Sequence, residues 1–183
     1  MSFLRFMLLL LVSVAPFSCA DDAVDEYSSR YRVSFMCNLM TYQQEYSVIS
    51  GLGVSQYVTL RKSGSRILMT TPTGKEISDN VLVNTAMFAF GRAGLIIGRS
   101  TFLEGDYCCF DLACPNCDAH SRLSRLSITQ TTGEATCPDC SNVYGLNNNG
   151  ALIGRHDETA NSAVRPLYRY RVRAMENRIE VSN

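Results

Sequence analysis

The stretch YCCFDLACPNC, residues 107–117, begins as an apolar run and ends in a Cys-x-x-Cys motif. A second motif of the same form, CPDC, occupies residues 137–140, and each motif has a proline directly after its first cysteine. Two cysteines at i and i+3 can turn both sulfurs toward one ion when the backbone between them turns tightly, which proline favours. We therefore predict one metal centre bound by Cys114, Cys117, Cys137 and Cys140.

The identity of the metal stays open at this point. Four thiolates are the typical ligand set of structural zinc, and they also hold 2Fe-2S clusters and, as a less favoured possibility, a single iron. The alternative is a pair of disulfides, which an exported chain permits, but the doubled spacing favours a metal. A thiol oxidoreductase is a weaker interpretation, because a reactive Cys-x-x-Cys pair needs a helix N-terminus within a βαβ framework.

Three further cysteines are interpreted as packing residues. Cys108 and Cys109 are neighbours on a predicted strand, where alternation sends their side chains to opposite faces, so we expect at least one of them to fill the core. Cys37 lies in another strand-like run, and free cysteine is among the most buried residue types. None of the three is assigned to the metal.

Two histidines and one tyrosine lie near the motifs. His120, three residues after Cys117, could replace a thiolate, whereas His156 lies in a polar stretch beyond the second motif; both are predicted to lie at the surface. Tyr144 is expected either to shield the sulfurs or to serve as an ordinary core aromatic.

The N-terminus carries the features of an export signal. Residues 1–18 hold one arginine followed by an apolar run too short to span a bilayer, which indicates a signal peptide. Cys19 directly follows, and we favour its lipidation over ordinary secretory cleavage. Residues 19–30 are then an acidic tether. This predicts a protein of the cell envelope, exported and held at the membrane by a lipid on Cys19.

The rest of the chain is predicted to be a single β domain, residues 31–183. Lysine plus arginine and aspartate plus glutamate number 17 each, so the overall charge does not suggest a nucleic-acid partner. Short apolar runs alternate with turn formers, and no long segment has a helical period. The predicted fold class is all-β, a small antiparallel sandwich or partly open barrel. The candidate strands are 31–35, 57–60, 67–69, 81–83, 95–97, 107–112, 128–129, 167–172 and 179–181.

The order of these features resembles the Rieske domain, in which a strand, a cysteine loop, a hairpin, a second cysteine loop and a glycine-bearing turn follow one another. Residues 110–115 are similar to the strand entering the first loop, 137–144 to the second loop, and 147–152 to the turn. A closing hairpin at 165–181 and an opening strand at 94–97 complete the resemblance, which covers about residues 84–183.

The ligands differ from that family's pattern. Its 2Fe-2S cluster uses two cysteines and two histidines, and Asn116 and Cys140 stand where the histidines would be. With Cys117 the set becomes four cysteines, similar to rubredoxin or zinc-ribbon knuckles, and the metal-binding loops span about residues 108–150. The expected function is a non-catalytic exported lipoprotein with a metal-binding domain. The alternative is an electron carrier with a 2Fe-2S cluster and a redox partner protein. No catalytic triad or phosphate loop is evident.

Overall fold

The computed structural model describes residues 27–38, 44–79, 88–155 and 164–183, and these form an antiparallel β protein. Thirteen strands are described, and none of them is longer than seven residues. Their bounds are β1 Val33–Asn38, β2 Tyr57–Ser63, β3 Arg66–Thr70, β4 Glu76–Asp79, β5 Ala89–Phe90, β6 Leu95–Arg99, β7 Tyr107–Asp111, β8 Ser127–Thr129, β9 Glu134–Thr136, β10 Val143–Gly145, β11 Ala151–Gly154, β12 Arg169–Met175 and β13 Arg178–Ser182.

Helical structure among the described residues is short. The α-helices are α1, Gln44–Ser50, and α2, Pro115–Ala119, and the 3₁₀ turns are Thr101–Leu103 and Leu146–Asn148. Within the described ranges, no helix is long and apolar enough to cross a membrane. The predicted all-β class is confirmed.

The strands form two antiparallel sheets. The larger has nine strands in the order β4-β3-β2-β6-β7-β12-β13-β1-β5, and the smaller has four in the order β11-β10-β9-β8. The large sheet curves until β5 approaches β2, so it has the partly open barrel form that was predicted. The small sheet follows the chain in a simple meander, and both cysteine motifs lie at its loops.

Two apolar clusters lie on opposite faces of β6 and β7. Leu95, Ile97 and Cys109 face the cluster inside the curved sheet, whereas Ile96 and Phe110 face the cluster beneath the small sheet. Successive side chains on a strand point to opposite faces, so a strand with both faces covered needs a continuous apolar run. This is why residues 95–97 of β6 and 107–110 of β7 form uninterrupted apolar runs.

Gln130 attaches the small sheet to the large one. Its side-chain carbonyl accepts from the N–H of Tyr57 at 3.0 Å, and its amide donates to the carbonyl of Tyr57 at 2.8 Å. The Tyr57 hydroxyl also donates to Asn147 at 2.8 Å, and Tyr57 is fully buried. These bonds fix the small sheet, with its cysteine loops, over β2 and β6.

Eight of the predicted strands are observed, some with different ends, as β1, β2, β3, β6, β7, β8, β12 and β13. The strands β4, β5, β9, β10 and β11 were not predicted, because each has only two to four residues and too little alternation to be recognised. The strand predicted at residues 31–35 is observed as β1, Val33–Asn38. The strand predicted at residues 167–172 is observed as β12, Arg169–Met175. The candidate strand at 81–83 lies outside the described residues. Neither α1 nor α2 was predicted, because their seven and five residues are too few for a helical period to emerge.

Candidate metal centre

The first cysteine motif is the connection between β7 and the small sheet. Cys114 is the N-cap of α2, and Pro115 stands in the first turn of that helix. The N–H of Asp118 donates to the carbonyl of Cys114 at 3.0 Å, which closes the turn, and the N–H of Cys114 donates to Ser124 at 2.9 Å. Proline is favoured at the start of a helix because its fixed φ suits that position and its missing N–H has no helical partner to lose. The tight turn expected of the motif is therefore formed.

The second motif is the hairpin connection between β9 and β10. The N–H of Ser141 donates to the carbonyl of Cys137, and the N–H of Cys137 donates to Asn142, both at 2.9 Å. Ser141 has a positive φ of 57°, a conformation that lets the chain reverse directly after Cys140. Both motifs thus present their two cysteines on a tight turn at the same end of the small sheet.

The four predicted cysteines meet at one point. Their sulfur atoms all lie within 4.8 Å of one another, with Cys114 and Cys140 at 3.6 Å and Cys117 and Cys137 at 3.7 Å. Three of the residues are buried and Cys140 is partly exposed. All seven cysteines of the described ranges are free thiols, so the structure has no disulfide within those ranges. The group could hold one metal ion.

Polar groups surround the sulfurs. The Arg122 guanidinium donates to Cys117 at 3.3 Å, the Ser124 hydroxyl lies 3.2 Å from the Cys137 sulfur, and the Tyr144 hydroxyl lies 3.4 Å from that of Cys114. Hydrogen-bond donors of this kind stabilise thiolates and orient them toward a metal. Tyr144 is fully buried in the apolar cluster beneath the small sheet with its hydroxyl against Cys114, so its position fits both of the roles expected of it, a core aromatic and a residue that covers the sulfurs.

The metal-free thiols have very different acidities. Burial raises the pKa of Cys114 and of Cys117 above that of an ordinary thiol. Burial would also raise the pKa of Cys137, but hydrogen bonds from the Ser124 hydroxyl and the backbone N–H groups of Cys140 and Asp139 outweigh it and lower the value to about 7. Of these three thiols, Cys137 is therefore the one that most readily supplies an anionic ligand to a metal ion.

Asp118 anchors the helix that carries the first motif. Its carboxylate accepts from the hydroxyls of Tyr31 at 2.6 Å and Tyr168 at 2.8 Å, and it pairs with Arg92 at 3.1 Å and Arg30 at 3.3 Å. Burial opposes ionisation of this carboxyl, but the tyrosine and arginine donors prevail and lower its pKa. A charged, fully bonded carboxylate therefore joins α2 to the large sheet.

Asp111 fixes the backbone that leads into the first motif. One carboxylate oxygen accepts from the N–H of Ala93 at 3.1 Å and of Ala113 at 2.8 Å. The other accepts from the N–H of Arg92 at 2.6 Å and the hydroxyl of Tyr170 at 2.7 Å. Because Asp111 is fully buried, these four donors satisfy it in place of water.

The remaining residues singled out in the sequence lie apart from the four-cysteine group. Cys108 and Cys109 face opposite clusters and are both buried, and Cys37 is buried in the core of the large sheet, so the packing interpretation is confirmed for all three. His120 is exposed, as predicted, and is not part of the group. His156 and Cys19 lie outside the described residues.

Sequence reasoning missed the residues that support the site. Arg122 and Ser124 lie in the excursion between the two motifs, where nothing in their spacing distinguishes them from other polar loop residues. Arg122 also pairs with Asp139 at 3.7 Å, so one side chain of the first loop reaches both motifs. Their roles depend on how the two loops face each other, which is a tertiary property.

The fold and the site define an antiparallel β protein with one tetracysteine cluster at the loops of a small sheet. No protein-family model and no curated protein matches the sequence.

Proposed function

We propose that the four cysteines bind a single zinc ion that holds the two loops together, and that the protein is a non-catalytic component of the cell envelope. The observation that carries the proposal is the compactness of the sulfur cluster. A tetrahedron with zinc–sulfur bonds of about 2.3 Å has sulfurs about 3.8 Å apart. The separations of 3.6 and 3.7 Å agree with that edge length.

A 2Fe-2S cluster would need a wider arrangement. In that cluster two cysteines bind each of two irons. The distance between cysteine sulfurs on different irons is therefore longer than the distance between two sulfurs on the same iron. Here every sulfur lies within 4.8 Å of every other. This favours one ion over the binuclear cluster of the electron-carrier alternative.

A structural role for the ion agrees with the surroundings of the site. The strands on either side of the second motif, β9 and β10, have only three residues each. Small elements of this kind bury little apolar surface, and the binding energy of a structural metal then becomes folding energy for the loops. Four cysteine ligands also leave no open coordination position for a substrate, which a catalytic zinc would require.

The Rieske-like interpretation belongs to the same proposal. The order β7, first motif, β8–β9 hairpin, second motif, β10 is the order of elements on which the resemblance rests. We propose a Rieske-like domain in which four cysteines replace the mixed ligand set.

Metal analysis of the protein purified without added metal tests the central claim. We expect one zinc per chain and no visible colour. Two irons with two acid-labile sulfides would replace the proposal with the electron carrier, and one iron without sulfide would replace it with a rubredoxin-like site. Metal-free protein with both motifs oxidised to disulfides would overturn metal binding altogether.

Serine variants test the ligand set. Cys114→Ser, Cys117→Ser, Cys137→Ser and Cys140→Ser should each lose bound zinc and thermal stability. Cys37→Ser, in the core of the large sheet, is the matched control and should retain the metal, because only packing is changed there. Equal zinc content in a ligand variant and the control would contradict the assignment.

Export and lipidation form a separate part of the proposal, supported by the N-terminal sequence alone. A short apolar segment is followed by Cys19 and an acidic stretch. The Cys19→Ala variant should no longer incorporate fatty acid or partition with membranes. Unchanged partitioning would remove the lipid anchor from the proposal without affecting the metal centre.

A further inference from the structure

A cavity of about 200 Å³ lies at the seam of the large sheet, where β5 approaches β2. Its walls come from three places: Lys62 of β2, the aromatic residues at β5, and the turn between β5 and β6. The lining residues are Lys62, Phe88, Phe90, Gly91, Arg92, Ala93, Gly94 and Arg125. None of the four clustered cysteines lines it, so this cavity is separate from the proposed metal centre.

The lining of the cavity is strongly cationic. It has three positively charged side chains, Lys62, Arg92 and Arg125, and no carboxylate. Among the described residues, Arg92 is the one of these three that pairs with a carboxylate, Asp118, and that carboxylate is shared with Arg30. The chain as a whole has equal numbers of acidic and basic residues, so this is a local excess and not a property of the composition.

Two of the cations are held in place. The Arg92 Nε donates to Asp118 at 3.1 Å, and the Arg125 Nε donates to the carbonyl of Ala93 at 3.3 Å. A guanidinium has five N–H donors, so each arginine keeps donors on its terminal nitrogens after these bonds are made. Groups fixed in this way lose little conformational entropy when they bind an anion.

The turn beneath the cations is also rigid. The N–H groups of Arg92 and Ala93 donate to the buried Asp111, and Gly94 approaches the carbonyl of Leu60 so closely that a side chain there would collide with it. Phe90 and Ala93 are almost completely buried and form an apolar floor. An apolar floor lowers the local dielectric and strengthens the attraction between the cations and an anion.

We propose that this cavity binds a compact oxyanion, a phosphate or carboxylate group, on a small organic molecule. Arginine presents paired donors that match either group, and Lys62 adds a flexible charge from the opposite wall. The aromatic edge of Phe88 and Phe90 accommodates a short apolar part of the ligand. The volume limits the ligand to a small molecule or to the end group of a larger one.

Binding titrations of the full chain with phenyl phosphate, inorganic phosphate and benzoate test the proposal. Phenyl phosphate should bind more tightly than inorganic phosphate, because it adds apolar contact, and benzoate tells whether a carboxylate is accepted. Combining Lys62→Gln with Arg125→Gln should weaken phenyl phosphate binding at least about tenfold, as expected for the loss of two charged contacts. Backbone amide shifts of Gly91 and Gly94 should report the bound ligand.

The matched control combines Lys75→Gln with Arg173→Gln, which remove the same charges from exposed positions that do not line the cavity. It should bind within about twofold of the unmodified chain. If the Arg125 substitution reduces stability, the single variants Lys62→Gln and Lys75→Gln replace the two double variants. Lys62→Gln should then weaken phenyl phosphate binding more than Lys75→Gln does. Absence of binding by all three probes, equal affinity in the two double variants, or amide shifts confined to other regions would each overturn the proposal.

Discussion

At the scale of single residues, Asp111 is a position where substitution is expected to be costly. All four of its hydrogen-bond partners are donors, and they are shared equally between its two carboxylate oxygens. Asp111→Asn replaces one oxygen by an NH₂ group, which removes two bonds and places donors against donors. We expect a loss of at least about 3 kcal/mol in the free energy of unfolding, measured by denaturant titration.

Tyr170→Phe is the matched control for this prediction. It removes one donor and leaves the three backbone N–H groups bonded to Asp111, so a loss of only about 1 kcal/mol is expected. If Asp111→Asn costs no more than Tyr170→Phe, the carboxylate does not hold the turn in the way its contacts indicate.

The reactivity of the buried thiols gives a second prediction at this scale. Burial raises the pKa of Cys37 and of Cys108 to about 12, and it raises that of Cys109 as well. At pH 8 a thiol with such a pKa is ionised to roughly one part in 10⁴, and only the thiolate is nucleophilic. Native protein treated with iodoacetamide at pH 8 should therefore carry no label at these three residues.

Mass spectrometry after proteolysis locates the labels. Addition of a chelator should expose Cys114, Cys117, Cys137 and Cys140 to labelling, whereas unfolding in denaturant should be needed for the other three. Labelling of Cys37 in the native protein at the rate of a cysteine in a peptide would contradict the packing role assigned to it.

At the scale of elements, Gln130 gives a prediction about how the two sheets are joined. Its side chain makes both hydrogen bonds that a neighbouring strand would make to Tyr57. Gln130→Ala leaves the N–H and carbonyl of a buried residue without these partners, and we expect a loss of about 1–3 kcal/mol with zinc retained. Hydrogen exchange at the amide of Tyr57 should accelerate. An unchanged exchange rate would show that the sheets are held by other contacts.

The strands also differ in how well sequence patterns could predict them. β6 and β7 could be predicted, because apolar runs of their length are typical of strands covered on both faces. The end of β12 could not, because its last residues are held by pairing with β13 and not by their own alternation: Met175 pairs with Arg178. The pairing of β1 with β13 joins residues that are 140 to 148 positions apart in the chain, and no local signal specifies such a partner.

Only some residues of the candidate site could be predicted from the sequence. The four cysteines could be assigned from spacing alone, because two residues at i and i+3 on a tight turn share a direction whatever the rest of the fold does. The donors Arg122, Ser124 and Tyr144 reach the sulfurs only because the two loops face each other. Tyr144 was a candidate because it closely follows the second motif, whereas the other two had no such marker.

At the scale of the whole molecule, the two apolar clusters predict unequal responses to metal removal. The cluster inside the curved sheet contains Phe35, Leu60, Ile97 and Val181 and none of the four site cysteines, so it has a core of its own. The cluster beneath the small sheet includes Cys114, Cys117 and Cys137 among its buried members. The small sheet's own short strands contribute only a few apolar residues there, such as Ala135 and Tyr144.

Chelation should therefore loosen the small sheet and leave the large one folded. In hydrogen exchange measured by mass spectrometry, peptides covering α2 and β8–β10 should lose protection, whereas peptides from β2, β3 and β13 should keep theirs. Cys137→Ser should give the same pattern without chelator, because it removes a ligand of the same ion, and Cys37→Ser should not. Loss of protection across both sheets at once would mean that the metal supports the whole fold, and unchanged protection everywhere would mean that the loops hold their form without it.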